Sequence, residues 1–195
     1  SVCGAKDPNY VAPGEKVFGI IDAPVAGTAY KFGMVQEKKN DGKVYYLTGA
    51  MSGYYMATTT DENAALDVYL EETTGGYYLY AMINGAKTYI NMVVSGTHVN
   101  GAYEATASTV YRYDAESKTV IAVVNGAHYW FGTRNDNTYT TVGPCAVSYK
   151  GFYCKFYGWI VGETPVECEH EGGTATCKEL AICSKCGEAY GELAA

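Results

Sequence analysis

Three times in this chain a run of strand-forming residues breaks at a tight glycine turn and resumes as a second such run. Val44-Tyr45-Tyr46-Leu47-Thr48 turns through Gly49 to Gly53 into Tyr54-Tyr55-Met56-Ala57-Thr58. Tyr77 to Ile83 meets Asn84-Gly85 and returns as Lys87 to Asn91, and Val120 to Val124 meets Asn125-Gly126 and returns as His128 to Gly132. Asn-Gly between two such runs specifies a two-residue hairpin, because both residues tolerate the positive φ of a type I′ turn. After each hairpin the pattern predicts a polar loop and a further strand, at 66–71, 109–114 and 145–149. Apolar spacing at three and four residues is missing, so residues 17–161 read as an all-β body.

Tyr55, Tyr89 and Tyr129 recur 34 and then 40 residues apart. A threefold unit of that length, with three strands per unit, is the mark of a repeat architecture. The order of strand, glycine turn, strand with a central aromatic, loop and strand resembles a β-trefoil, three copies closed about a pseudo-threefold axis. The alternative is a β-sandwich of short strands.

The chain has 195 residues, 48% of them hydrophobic, enough for a buried core in one domain with an appendage. Residues 1–16 read as an N-terminal arm and 162–165 as a linker to a tail at 166–195. A net charge of −7 and the absence of any basic run beyond Lys38-Lys39 argue against nucleic acid. No segment approaches the roughly 18 apolar residues of a spanning helix. The chain opens at Ser1 without a basic-then-apolar leader and reads as a processed or trimmed piece. His98, His128 and His170 sit in none of the familiar catalytic patterns, so the body reads as a binding domain and not an enzyme.

Twenty residues are Tyr, against five Phe and two Trp. Strand side chains alternate between faces, so each of the pairs Tyr45-Tyr46, Tyr54-Tyr55 and Tyr77-Tyr78 should turn one ring outward. Tyr offers a flat apolar face and a hydroxyl at little entropic cost, which suits a glycan or a protein surface. The candidate contacts are Tyr46, Tyr54, Tyr77 and Trp130, with Asn135, Asp136 and Tyr139 adding polar groups beside an aromatic. The competing reading is that these rings only pair across strands and hold the sheet.

Cys145 and Cys154 flank a turn at Lys150-Gly151 and form a disulfide candidate; two buried free thiols are the alternative. The tail holds Cys168, His170, Cys177, Cys183 and Cys186, the last two as a C-x-x-C-G knuckle. A segment of about 30 residues needs a staple to fold. His170, Cys177, Cys183 and Cys186 are the expected ligands of a structural Zn²⁺, with Cys168 competing, and two disulfides are the alternative.

The run Cys168-Glu-His170-Glu-Gly-Gly-Thr-Ala-Thr-Cys177, followed by Ala181-Ile-Cys183-Ser-Lys-Cys186-Gly187 and Tyr190-Gly-Glu-Leu193, resembles the short Cys/His modules repeated in large surface proteins of gram-positive anaerobes. The resemblance covers the tail alone. It implies an extracellular or cell-surface protein assembled from beads, of which this chain is one portion. The expectation is therefore a non-catalytic, carbohydrate-binding module on a zinc-stapled spacer, or alternatively a protein-binding adhesin or a structural bead.

Overall fold

A computed structural model describes residues 15–133, 138–146, 152–161, 172–176, 179–182, 184 and 189–192. The chain divides into two compact units: Val17–Ile160, and the residues on either side of it, Ser1–Lys16 and Val161–Ala195. The larger unit is all-β, as its residues predict. Among the described residues the only helical elements are single 3₁₀ turns at Glu37–Lys39 and Glu62–Ala64, and no helix is long and apolar enough to cross a membrane.

The strands of the larger unit pair by one scheme, used in full in the first two sets and in part in the third. In the first set, β2 (Tyr30–Val35) pairs with β3 (Val44–Ser52), β3 with β4 (Tyr55–Thr59), and β2 again with β5 (Asp67–Thr73). In the second, β6 (Gly76–Ile83) pairs with β7 (Ala86–Ser95), β7 with β8 (His98–Glu104), and β6 with β9 (Tyr111–Asp114). In the third, β10 (Thr119–Val124) pairs with β11 (Ala127–Thr133) and β11 with β12 (Gly143–Ala146). Here the returning strand is broken at Cys154 into β13 (Phe152–Tyr153) and β14 (Lys155–Val161). β13 pairs with β11, the Thr119 hydroxyl donates to the Cys154 carbonyl, and β14 pairs with β2. Consecutive sets join through β5–β6 and β9–β10, and β1 (Lys16–Ile20) lies beside β14.

Each set thus has four strands, one more than expected, and the first hairpin is out of phase with the other two. The counterpart of the Asn-Gly hairpins is β2–β3, whose connection carries a 3₁₀ turn and then Asn40 and Gly42 at φ 51° and 65°. Asn84-Gly85 and Asn125-Gly126 have φ of 53° and 78°, and 51° and 77°, as type I′ turns require. Val44 to Thr58 is instead the second hairpin of its set. It turns at Gly53-Tyr54, and Gly49, at φ 82°, lies where the register shifts between Leu47 and Met51. Of the strand expected at 145–149, Cys145 and Ala146 end β12, a third strand and not a fourth, and 147–149 lie outside the described residues.

Alternate residues of the first strands point inward: Phe32 and Met34, Leu79 and Ala81, Val120 and Ala122. All of these but Ala81 meet Leu47, Ile90 and Phe131 from the second strands and Leu70, Tyr111 and Phe156 from the last, in one hydrophobic cluster. Phe32 sits 4.8 Å from Phe156 and 6.2 Å from Phe131 by ring centroid. Tyr111, wholly buried, donates its hydroxyl proton to the Ile90 carbonyl at 2.8 Å, which avoids the cost of an orphaned polar group.

In the smaller unit β15 (Ala181–Ile182) pairs with β16 (Ala189–Tyr190), and the Tyr190 hydroxyl donates to the Gly172 carbonyl at 2.5 Å. Gly173, at φ 73°, lies so close to the Ile182 carbonyl that no Cβ fits between them.

Candidate functional site

The hairpin tips of the first two sets border a groove of about 460 Å³ lined by Tyr54, Tyr55, Ser95, His98 and Asn100. Local geometry sets each side chain. Gly53, at φ 62°, makes the turn that throws Tyr54 outward to 80% exposure. Tyr55 opens β4 with its ring against Gly143, where a Cβ would come within 3.1 Å of it. Across the groove, His98 and Asn100 are two apart on β8 and so share a face, and Ser95 is the register partner of His98. Two aromatic faces, a hydroxyl, an imidazole and a carboxamide thus meet in one concavity. That is the mixture of stacking planes and hydrogen-bonding groups that holds a neutral polyhydroxylated ligand.

A second tyrosine face lies on β5–β7. Tyr69 stacks on Tyr80 at 5.0 Å with the planes 15° apart, and Tyr89 meets both Tyr80 and Tyr78 within 6.3 Å. Lys87 and Glu71, 2.8 Å apart, lie among these rings. Its rings cover one another and Lys87 covers part of what is left.

Of the expected contacts among the described residues, only Tyr54 lines the groove. Tyr46 does point away from the main core, but it is buried against Tyr157 at 5.4 Å and Phe18 at 6.5 Å, because β1 and β14 cover that face. Tyr45, its neighbour, is in the core, so neither ring of that pair is outward. In the pair Tyr77-Tyr78 the parity is reversed: Tyr77 packs against the core and Tyr78 is on the tyrosine face. Trp130 is 8% exposed and stacks on Tyr153 at 5.0 Å, a packing role. Tyr139 is 65% exposed, and its carbonyl accepts from Gln36 Nε2 at 2.7 Å. Asn135 and Asp136 lie outside the described residues.

The Cys145–Cys154 disulfide is not formed; both residues are buried thiols. Their strands do not pair with each other, since β12 and β13 both pair with β11. Cys145 is opposite Trp130, whereas Cys154 bonds through its N–H to the Phe131 carbonyl. Neighbouring positions on β11 face opposite sides, and the two thiols follow them. Burial pushes the Cys154 thiol well above its ordinary pKa, with the neighbouring Cys145 adding to the rise.

His170, Cys177, Cys183 and Cys186, and the competing Cys168, lie outside the described residues, and the described residues alone contain no cluster of three metal-binding groups. Ser95, His98 and Asn100 escaped the sequence reading because His98 reads as a loop residue, although it opens β8. The available signal was Ser-Gly-Thr-His, a glycine turn with Asn100 two residues on. The chain matches no protein-family model, no curated protein and no solved structure.

Proposed function

We propose that Val17–Ile160 is a non-catalytic carbohydrate-binding module of trefoil-like architecture in a bacterial cell-surface protein, followed by a Cys/His spacer stapled by Zn²⁺. The observation that carries the binding reading is the groove formed by Tyr54, Tyr55, Ser95, His98 and Asn100. Its two rings offer apolar faces to the C–H side of a sugar, and its polar groups bond hydroxyls. The architecture rests on the pairing scheme that the first two sets share in full and the third in part, and on the pairing of the last strand with the first of the three sets, Tyr157 opposite Lys31. The spacer rests on the Cys/His resemblance of the tail. An extracellular setting follows from that resemblance, and a larger multidomain protein with it.

A second reading, a protein-binding adhesin, is favoured by the cluster of rings at Tyr69, Tyr78, Tyr80 and Tyr89 on one sheet face. Glycan-array binding separates the two. Related neutral glycans bound by the full chain and lost in Tyr54→Ala, with Tyr78→Ala unaffected, support the groove. No hit at high display density removes the carbohydrate reading and moves the weight to the adhesin.

A further inference from the structure

A larger concavity, about 570 Å³, opens on the outer side of β9 and β10. Ile121 and Val123, alternate residues of β10, line it, with Val110 beside them; Val110 and Val123 remain 40% and 61% exposed. Arg112 lines the same concavity and is the register partner of Ile121. Although the chain carries a net −7, no Asp or Glu is among the described residues that line this groove, so their one formal charge is the guanidinium. Among the described residues Arg112 has no ion pair, while the lysines at 31, 39, 87 and 118 all have one.

The wall beside it is held in place. The buried Asn91 carboxamide donates to the Thr106 carbonyl at 2.8 Å and accepts from the Ser108 and Thr109 N–H groups at 3.1 and 3.3 Å. Thr109 in turn accepts from the Met92 N–H at 2.8 Å. Ser108 and Thr109 therefore face the groove on a fixed loop, and a ligand meets a site that costs little to order.

We infer that this groove binds a small organic acid, a single carboxylate carried on an apolar body. A planar guanidinium accepts a carboxylate through two parallel hydrogen bonds, and the valine and isoleucine side chains cover the apolar part. One positive charge balances one negative charge. A phosphate would bring roughly two negative charges to an acidic protein, with a single guanidinium to meet them. This site shares no residue with the tyrosine groove and stands independently of the carbohydrate reading.

The test is a titration of the ¹⁵N-labelled full chain with 3-phenylpropionate and, separately, with its uncharged primary amide. Saturable shifts at Ile121, Val123 and Ser108 are expected with the acid, at least tenfold weaker with the amide. Arg112→Gln loses the response and Arg112→Lys keeps part of it. Equal binding of acid and amide, an unchanged response in Arg112→Gln, or no saturation by the acid overturns the site. Acetyl-valyl-valine ending in a free carboxylate is run alongside. Tenfold tighter binding of that peptide overturns the assignment to a small acid in favour of a chain terminus.

Discussion

The ammonium of Lys87 lies 4.3 Å from the ring centroid of Tyr80, and it reaches the Glu71 carboxylate at 2.8 Å from the same position. Register brings this about: Lys87 opposes Met82 across β6–β7 and Glu71 opposes Tyr78 across β5–β6, so all three strands present these groups on one face.

Replacing Lys87 with Met keeps most of the stem and removes the charge. The expected loss in urea unfolding is about 0.5–1 kcal/mol, the scale of exposed cation–π and ion pairs. The hydrogen bond with Lys87 lowers the Glu71 pKa, and the bond with Glu71 raises that of Lys87. The carboxylate's contribution is full above its unfolded pKa of about 4.3 and is lost as pH falls through the depressed folded value. The ammonium's contribution is full below about 10.4 and is lost as pH rises through the raised folded value. Wild type and Lys87→Met should therefore differ by a constant amount near neutrality, and in acid the gap should shrink to the share of the cation–π contact, which does not titrate there. A gap unchanged in acid would place the effect in the cation–π contact and packing, with no share from the ion pair.

Gly76 and Gly132 sit where a Cβ would strike backbone, the carbonyls of Tyr111 and Phe152 respectively. Strand backbone moves only by breaking pairs, so Gly76→Ala and Gly132→Ala should each cost about 2–4 kcal/mol. At Gly101 an added Cβ would come within 2.8 Å of the Met56 sulfur, part of a flexible side chain. Gly101→Ala should cost less, about 1 kcal/mol, since Met repacks readily. Urea midpoints of the three variants check the order.

Burial raises the Cys154 pKa, and Cys145 is also buried. The thiolate is the reactive form. Iodoacetamide at pH 8 should leave the peptides containing Cys145 and Cys154 unmodified until denaturant is added, and then label both without a reductant. Labelling that needs a reductant would restore the disulfide.

Chelation tests the zinc spacer. Purified without chelator, the full chain should carry about one equivalent of zinc. Stripping the metal should move the Ala181 and Tyr190 resonances and leave those of Phe32 and Leu79 in place. Metal content below about a tenth of an equivalent would leave His170, Cys177, Cys183 and Cys186 without their expected role.

Much of the body was legible in local chemistry. The two Asn-Gly turns and the runs of Val, Ile and Tyr give the all-β class and two hairpins in register, since turn type and alternation are properties of a few adjacent residues. The phase of the first set was not legible, because its counterpart turn is a longer connection around Asn40 and Gly42, while the Gly49–Tyr54 segment imitates a first hairpin. The site was legible least. Tyr46 alternates outward as expected but is covered by Phe18, nearly thirty positions away in sequence, and the groove pairs Tyr54 with His98 from a different set. Such encounters depend on which strands become neighbours, and no local pattern encodes that.

The pairing of β14 with β2 places Tyr157 directly opposite Lys31. Phe18 of β1 in turn meets Trp159 of β14 at 5.4 Å by ring centroid, so the body is entered and left at neighbouring points. A domain of that kind can be spliced into the loop of a larger protein at little cost in loop closure. Its native ends can equally be joined and new ones cut at an exposed turn such as Asn125-Gly126, giving a circular permutant that keeps every strand pair but one hairpin connection.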